Sequence, residues 1–293
     1  MNIKTPLLSI VLPNYNSWPY IQEAVSSLLN QTFSDFVLII VDDSSTDQSI
    51  NYLQSLKDTR IILLTKEHSG IIDTFNYALP YVKSKYTARV DADDYYFPEK
   101  FEKQIERLEE EKNIIALGTQ GYYMSSKGVI SKMRIKVPVY NDEIINDFFE
   151  KKRGVLQPSI VMRTDILKKL NGYRKNILPE DYDLYFRLGL IGKLENLQEY
   201  LYAYRYHNSF NQKNLLYLAS NLDILISHYA PKYKVQPSRR AIKRENKSIY
   251  YNRKALFNYL EGYKTVALFY IFMSIVVYPK KIIQFIKNNI LQI

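Results

Sequence analysis

Asp91, Asp93 and Asp94 put three carboxylates into four consecutive positions, with only Ala92 neutral among them. Like charges at that spacing repel unless a cation or a donor-rich ligand compensates them. The chain has no cysteine and three histidines, His68, His207 and His228. An oxygen-rich ligand set of this kind suits a hard divalent ion, Mg2+ or Mn2+, and leaves few residues for structural zinc and none for disulfides or cysteine nucleophiles. A second acidic pair, Asp42-Asp43, follows another apolar run. Two other readings of the triplet stay open. Its acids could simply complement the dipole of a helix opening at Pro98, or a strand-end D-x-D could carry a phosphorylated aspartate, a motif expected nearer the N-terminus. An EF-hand loop fails, because Tyr96 stands where that loop requires glycine.

These carboxylates need elements to hold them. From Leu7 to Gly118 short apolar runs alternate with amphipathic stretches, the pattern of strands and helices taking turns around a parallel sheet. Strands are expected at Leu7–Leu12, Phe36–Val41, Arg60–Leu64, Tyr86–Val90 and Ile114–Leu117. Helices are expected from Pro19, with Ile21, Ala24, Val25, Leu28 and Leu29 on one face, and over Asp47–Leu56, Ile71–Leu79 and Glu99–Glu111. Tyr122 to Val139 reads as antiparallel strands or loops. Ser159–Met162 follows as a strand, then a helix capped by Thr164 to Leu170, a turn at Asn171-Gly172 and a helix from about Glu180 to Leu190. Ligands of open parallel sheets bind beyond the carboxyl ends of the strands, where Asp42-Asp43 and Asp91 to Asp94 fall.

Glycine is scarce, nine in 293 residues, and never spaced as G-x-G-x-x-G or as a phosphate-binding P-loop. The absence of that spacing disfavours a nicotinamide dehydrogenase, and any bound diphosphate must be neutralised by other means. A chain that is 46% hydrophobic and 24% charged can bury a large core, so wholesale disorder is excluded.

Several stretches together resemble family 2 glycosyltransferases of the GT-A fold. They are Leu8-Ser9-Ile10-Val11-Leu12-Pro13-Asn14-Tyr15-Asn16, Asn30-Gln31-Thr32-Phe33, Val41-Asp42-Asp43-Ser44-Ser45-Thr46-Asp47 and Arg89-Val90-Asp91-Ala92-Asp93-Asp94. The resemblance continues through Gln157-Pro158-Ser159-Ile160-Val161, Asn171-Gly172-Tyr173 and Pro179-Glu180-Asp181-Tyr182-Asp183, and so spans about residues 1 to 210. Gln157-Pro158 and Thr74-Phe75-Asn76 depart from the His-Pro and Ala-Arg-Asn of many members.

The resemblance implies an α/β, Rossmann-like GT-A domain with a mostly parallel central sheet, flanked by helices. It further implies that Pro13 and Tyr15 line a base pocket, that Asp43 reads the base edge, that Asp91 faces the ribose and metal shell, and that Asp93 binds Mn2+ or Mg2+. Asp181 becomes the general base of a direct displacement that inverts the sugar carbon. His207, after a strand, stands where related enzymes often keep a histidine near the metal or phosphates. For Glu180, Asp181 and Asp183 the plainer alternative is a set of ordinary helix N-terminal acids. Trp18 is the single tryptophan, so the Gln-x-x-Arg-Trp element of processive synthases is absent and one sugar per turnover is expected.

The net charge of +10 sits in the tail: residues 231–293 hold 13 Lys and Arg against Glu245 and Glu261. With Pro231 and Pro237 this suggests a catalytic domain over 1–230, divided into a nucleotide-sugar half (1–118) and an acceptor half (119–230), followed by a basic helical extension. The apolar run Thr265–Tyr278 is too short to span a bilayer. Lys280–Ile293 interleaves apolar residues with Lys and Asn as an interfacial helix would, so an anionic membrane surface is one expected partner. Packing of the tail on the domain or on a second copy, as in a homo-oligomer, is the alternative. Nucleic acid is not an expected partner, because the tail's apolar spacing resembles a buried face.

The expected activity is transfer of one sugar from a nucleoside-diphosphate sugar, UDP being favoured, to a glycan or lipid-linked acceptor in cell-surface polysaccharide synthesis. Leu7–Leu12 is too short for a secretory signal, so the expected location is cytoplasmic, at the inner face of the plasma membrane. A non-catalytic nucleotide-sugar or membrane-binding module of the same fold is the alternative from another class, and intact Asp91, Asp93 and Asp181 speak against it.

Overall fold

A strand buried on both faces reads as a nearly unbroken apolar run, and Leu-Ser-Ile-Val-Leu-Pro-Asn forms such a strand, β1 (Leu8–Asn14), with all seven residues buried. The computed structural model describes residues 5–207, 212–236 and 242–277. After β1 come α1 (Tyr20–Leu29), β2 (Phe36–Asp42), α2 (Ser49–Ser55), β3 (Ile61–Thr65), α3 (Ile71–Ala78) and β4 (Tyr86–Arg89). These four strands lie parallel in the order β3-β2-β1-β4, so their carboxyl ends share one edge.

The chain continues through β5 (Tyr95–Tyr96), α4 (Lys100–Glu110), β6 (Ile114–Met124), β7 (Ile130–Ile135), α5 (Asn141–Phe149) and a single 3-10 turn at Gln157–Ser159. Then follow β8 (Val161–Arg163), α6 (Thr164–Lys169), α7 (Glu180–Gly189) and β9 (Lys193–Arg205). β8 pairs antiparallel with β4 and β6, β9 runs parallel to β6, and β5 and β7 pair antiparallel with β9 and β6. The molecule is thus α/β, parallel through its N-terminal half and mixed beyond.

Alternation along β1 divides the core. Leu8, Ile10 and Leu12 pack with Ile21, Val25 and Leu28 of α1 and with Phe101, Ile105 and Leu108 of α4. Val11 points to the other face, where Phe75 and Ala78 of α3 meet Leu184, Phe186 and Leu188 of α7. β6 extends well past Leu117 because Gly118 and Gly121 admit close neighbours. A Cβ on Gly118 would stand 2.1 Å from Asn196 Oδ1, and one on Gly121 would stand 2.9 Å from Leu156 Cδ1.

Thr164 does not cap α6. Its hydroxyl pairs with that of Thr87 at 2.7 Å, because the residue is buried against β4.

Asp183 and Arg187 of α7 are both buried and paired at 2.8 Å. Arg187 also donates to the carbonyls of Leu170 and Gly172, at 2.9 and 2.8 Å, while Asn76 of α3 exchanges bonds with Tyr173. The Asn171-Gly172-Tyr173 turn is therefore clasped from two helices. Asp183 accepts a further bond, from Tyr229 on α8 (Gln212–Tyr233), at 2.7 Å. Asp183→Asn leaves the buried guanidinium without its counter-charge and is expected to cost about 3 kcal/mol or more. A fall in the denaturant midpoint at unchanged slope would register that loss, and an unchanged midpoint would refute it.

Position 230 lies within α8, whose Leu222, Leu225, Ile226, Tyr229 and Ala230 join the core. The C-terminal extension continues as α9 (Ile242–Leu260) and α10 (Lys264–Val277). Among the described residues no helix is long and apolar enough to cross a membrane. The expected interfacial helix at 280–293 lies outside the described residues.

Candidate active site

The shared edge of β2, β1 and β4 brings together three loops that the sequence singles out. β1 and β2 end in register, Asn14 opposite Asp42, and Arg89 of β4 lies opposite Val11. Pro13 is buried in β1 opposite Val41, and Tyr15 emerges just past the strand, 47% exposed. Its ring centroid lies 4.2 Å from that of His68, forming a small open platform.

Asp43 is buried and held by the loop that follows β3. Lys66 Nζ donates to it at 2.6 Å, the amides of Ser69 and Gly70 at 3.0 and 2.8 Å, and His68 Nδ1 lies 3.0 Å from Oδ2. Burial pushes the Asp43 carboxyl up, but the bonds from Lys66, Gly70 and Ser69 outweigh it and hold the group below its usual value. Sequence reasoning did not find Lys66 or His68. The available signal was their position just after β3, at the ligand edge.

Asp91, Asp93 and Asp94 each present a carboxylate oxygen within 4.8 Å of the others. The three are not equivalent. Asp94 is 1% exposed and turned inward: Tyr202 donates to one oxygen and the Arg205 amide to the other at 2.8 Å. Asp91 and Asp93 keep 25% and 35% of their side chains exposed. The loop is pinned from both sides. The Asp91 amide donates to the Tyr96 hydroxyl at 2.6 Å, that hydroxyl donates back to the Asp91 carbonyl at 3.1 Å, and Arg205 Nε donates to the Asp93 carbonyl at 2.6 Å. Arg205 is itself buried and paired with Glu23 of α1.

β9 thus positions His207, whose Nε2 lies 2.8 Å from Asp93 Oδ2, with Tyr20 packed 5.1 Å from its ring. Burial pushes the Asp91 carboxyl up to about 6, with Arg89 pulling against it and Asp93 adding to it. Arg89 Nη1 stands 2.8 Å from Asp91 Oδ1, and its buried Nε has no hydrogen-bond partner among the described residues. Carboxylates this crowded, two of them open to the cleft beside an imidazole, fit a hard divalent cation.

The first turn of α7 supplies a further acid, linked electrostatically to the cluster through Arg89. Asp181 is partly exposed there, one oxygen accepting the Tyr182 amide at 2.9 Å. Burial first, then the charge of Glu180, pushes its carboxyl up to about 7, against the pull of Arg89. Arg89 therefore lies within electrostatic reach of both Asp91 and Asp181. Its position inside the R-V-D-A-D-D stretch was the only sequence signal for that placement. Asp183, two residues on, is the structural acid already described.

The model for "Glycosyl transferase family 2" matches residues 9–170. The O-antigen biosynthesis glycosyltransferase WbnJ of Escherichia coli is 30% identical over 218 residues, 72% of this chain and 84% of the relative. Residues 1–349 of S. aureus TarS, crystallised with UDP-GlcNAc, superpose with a TM-score of 0.59 at 17% identity, covering 91% of this chain and 88% of that one. The mannosyltransferase PcManGT of Pyrobaculum calidifontis, in complex with GDP-Man and Mn2+, gives 0.59 at 12% identity over 95% and 76%. At these identities the two structures share the fold, which is of the GT-A type. With the family match covering more than half the chain, the chain belongs to glycosyl transferase family 2.

Proposed function

We propose that the protein is a metal-dependent, inverting glycosyltransferase that moves one sugar from a nucleoside-diphosphate sugar, UDP-linked by preference, to a glycan or lipid-linked acceptor in surface polysaccharide synthesis. The observation that carries this reading is the division of the acids: Asp91 and Asp93 partly exposed, with His207 beside Asp93, and Asp181 partly exposed at the start of α7 with its carboxyl pushed up to about 7. UDP-GlcNAc on TarS, GDP-Man with Mn2+ on PcManGT and the O-antigen role of WbnJ support it by analogy of fold and family.

Pro13 and the Tyr15–His68 platform take the base, while Asp43 holds the 66–70 loop and reads the base edge. Asp91 faces the ribose and metal shell, and Asp93 with His207 holds Mn2+ or Mg2+. The ion, when bound, offsets the negative charge that gathers on the departing diphosphate, in place of a glycine cradle. Asp181 takes the proton of the acceptor hydroxyl as that oxygen attacks the anomeric carbon from the opposite face, so the sugar carbon inverts. Residues 1–118 form the donor half, 119–230 the acceptor half and 231–293 the basic tail.

In the same reading the tail seats the enzyme on the inner, anionic face of the plasma membrane. Support comes from α10, where Leu268, Phe269, Phe272 and Val276 are each more than half exposed within the basic tail itself.

Calorimetric titration with UDP, GDP and dTDP, each with and without Mn2+, tests the donor site. One nucleotide should bind in a metal-dependent way, and Tyr15→Ala should weaken it by about tenfold through loss of stacking. Folded protein that binds none of the three under either condition would sink the reading.

A further inference from the structure

Gly262 ends α9 in the left-handed conformation, with φ at +88°. The amides of Gly262 and Tyr263 return to the carbonyls of Tyr259 and Asn258 at 3.1 and 2.7 Å, which closes the helix with a fixed geometry. Glu261 sits inside that closing turn and faces the catalytic domain. Its Oε1 accepts the Ser126 amide at 2.7 Å, a charge-assisted bond from the basic tail to the turn between β6 and β7.

The β6–β7 turn is tight. Ser125 is buried, its amide donates to the Val129 carbonyl at 2.9 Å, and its own carbonyl accepts the Gly128 amide at 3.1 Å. Gly128 lies so close to α1 that a Cβ on it would stand 3.3 Å from Glu23 Oε2 and 3.6 Å from Arg205 Nη1. The carbonyls of Ser125 and Ser126 thereby face Arg205, whose Nη1 donates to them at 3.3 and 3.2 Å.

Arg205 joins this turn to the Asp cluster. Its Nη2 pairs with Glu23, and its Nε donates to the Asp93 carbonyl at 2.6 Å. Its Cζ stands 4.7 Å from the centroid of the Tyr20 ring, and Tyr20 in turn packs on His207, 5.1 Å between ring centroids. One buried guanidinium therefore fixes the backbone of Asp93 directly and the ring of His207 through Tyr20. The fork is rigid, so a shift of the acceptors on one side tilts the whole group.

We propose that Glu261 is a positioning residue of the donor site: it holds the β6–β7 turn for Arg205, and Arg205 keeps Asp93 and His207 together as ligands of the divalent ion. The inference rests on the metal-dependent reading above. It gives the tail a task at the donor site besides seating the enzyme, carried by a continuous hydrogen-bonded path from α9 to Asp93.

The test titrates the full chain with UDP in the absence and presence of Mn2+, and follows amide exchange of residues 91–96 in the metal-free protein. Glu261→Ala should reduce the Mn2+ enhancement of UDP affinity about tenfold and speed exchange in 91–96, while metal-free UDP binding stays at the wild-type value. Glu261→Gln keeps a carbonyl oxygen for the Ser126 amide and should match the native protein in both measurements. Arg205→Lys keeps a charge beside Glu23 but loses the fork, so it should cut the enhancement about tenfold to a hundredfold. Adding Glu261→Ala to it should cost little more, because both act along one path. Where Mn2+ tightens UDP in the wild type, native enhancement or native exchange in Glu261→Ala overturns the proposal. Equal losses in Glu261→Ala and Glu261→Gln, or fully additive losses in the double variant, overturn it as well. So does loss of metal-free UDP binding in Glu261→Ala, since the effect would then not run through the cation. A wild type whose UDP affinity ignores Mn2+, with faster loop exchange in Glu261→Ala, keeps the link from tail to loop and removes the metal reading instead.

Discussion

Asp93→Ala is expected to lower metal-stimulated sugar transfer by about a thousandfold, several kcal/mol of charge stabilisation at the departing diphosphate. The size of the effect follows from geometry. Asp93 is one of two open carboxylates in the cluster and the only one beside His207, so its loss leaves the cation with Asp91 as its sole open acid. Folding should be spared, because the Asp93 side chain is 35% exposed and the loop is anchored by Asp94 and by backbone bonds to Tyr96 and Arg205. The measurement is turnover of a nucleotide sugar across a Mn2+ series, with a thermal melt as control. A variant with full Mn2+-stimulated turnover would remove Asp93 from the metal site.

Asp181→Asn should lower kcat by about a hundredfold to ten-thousandfold while leaving nucleotide affinity in place, as expected for loss of a general base. The pH dependence gives an independent signature. A base works deprotonated, and the Asp181 carboxyl is pushed up to about 7 by burial and by Glu180. Turnover in the native enzyme should therefore fall as pH drops through about 7 and level off above it. In the asparagine variant that limb should vanish. Asp91, pushed up to about 6, titrates lower still, and a bound divalent cation would favour its charged form and move it further down. Nucleotide binding followed over the same pH range separates the two groups. A native limb that persists unchanged in Asp181→Asn would assign the base elsewhere.

Much of the fold is legible in the chain because buried parallel strands need unbroken apolar runs. Phe36 to Val41 is such a run. The amphipathic face of α1, Ile21-Ala24-Val25-Leu28, is equally plain. The second half is less so. β9 alternates Lys193, Glu195, Glu199 and Arg205 with apolar residues, and two glycines interrupt β6, so neither looks like a long strand without its partner.

The sequence alone determined the side chains on offer: an oxygen-rich acidic cluster at a strand end, no glycine cradle and no thiol, a set that favours a hard cation over zinc. It could not decide which aspartate does what. Asp91, Asp93 and Asp94 are alike in the chain, and only the return of β9, more than a hundred residues later, turns Asp94 inward onto Tyr202 and Arg205 and sets His207 against Asp93. Asp181 and Asp183 are separated in the same way, one left open near Arg89 and the other buried on Arg187 and Tyr229. A carboxylate's role depends on its solvation and its partners, and those are supplied by elements distant in sequence.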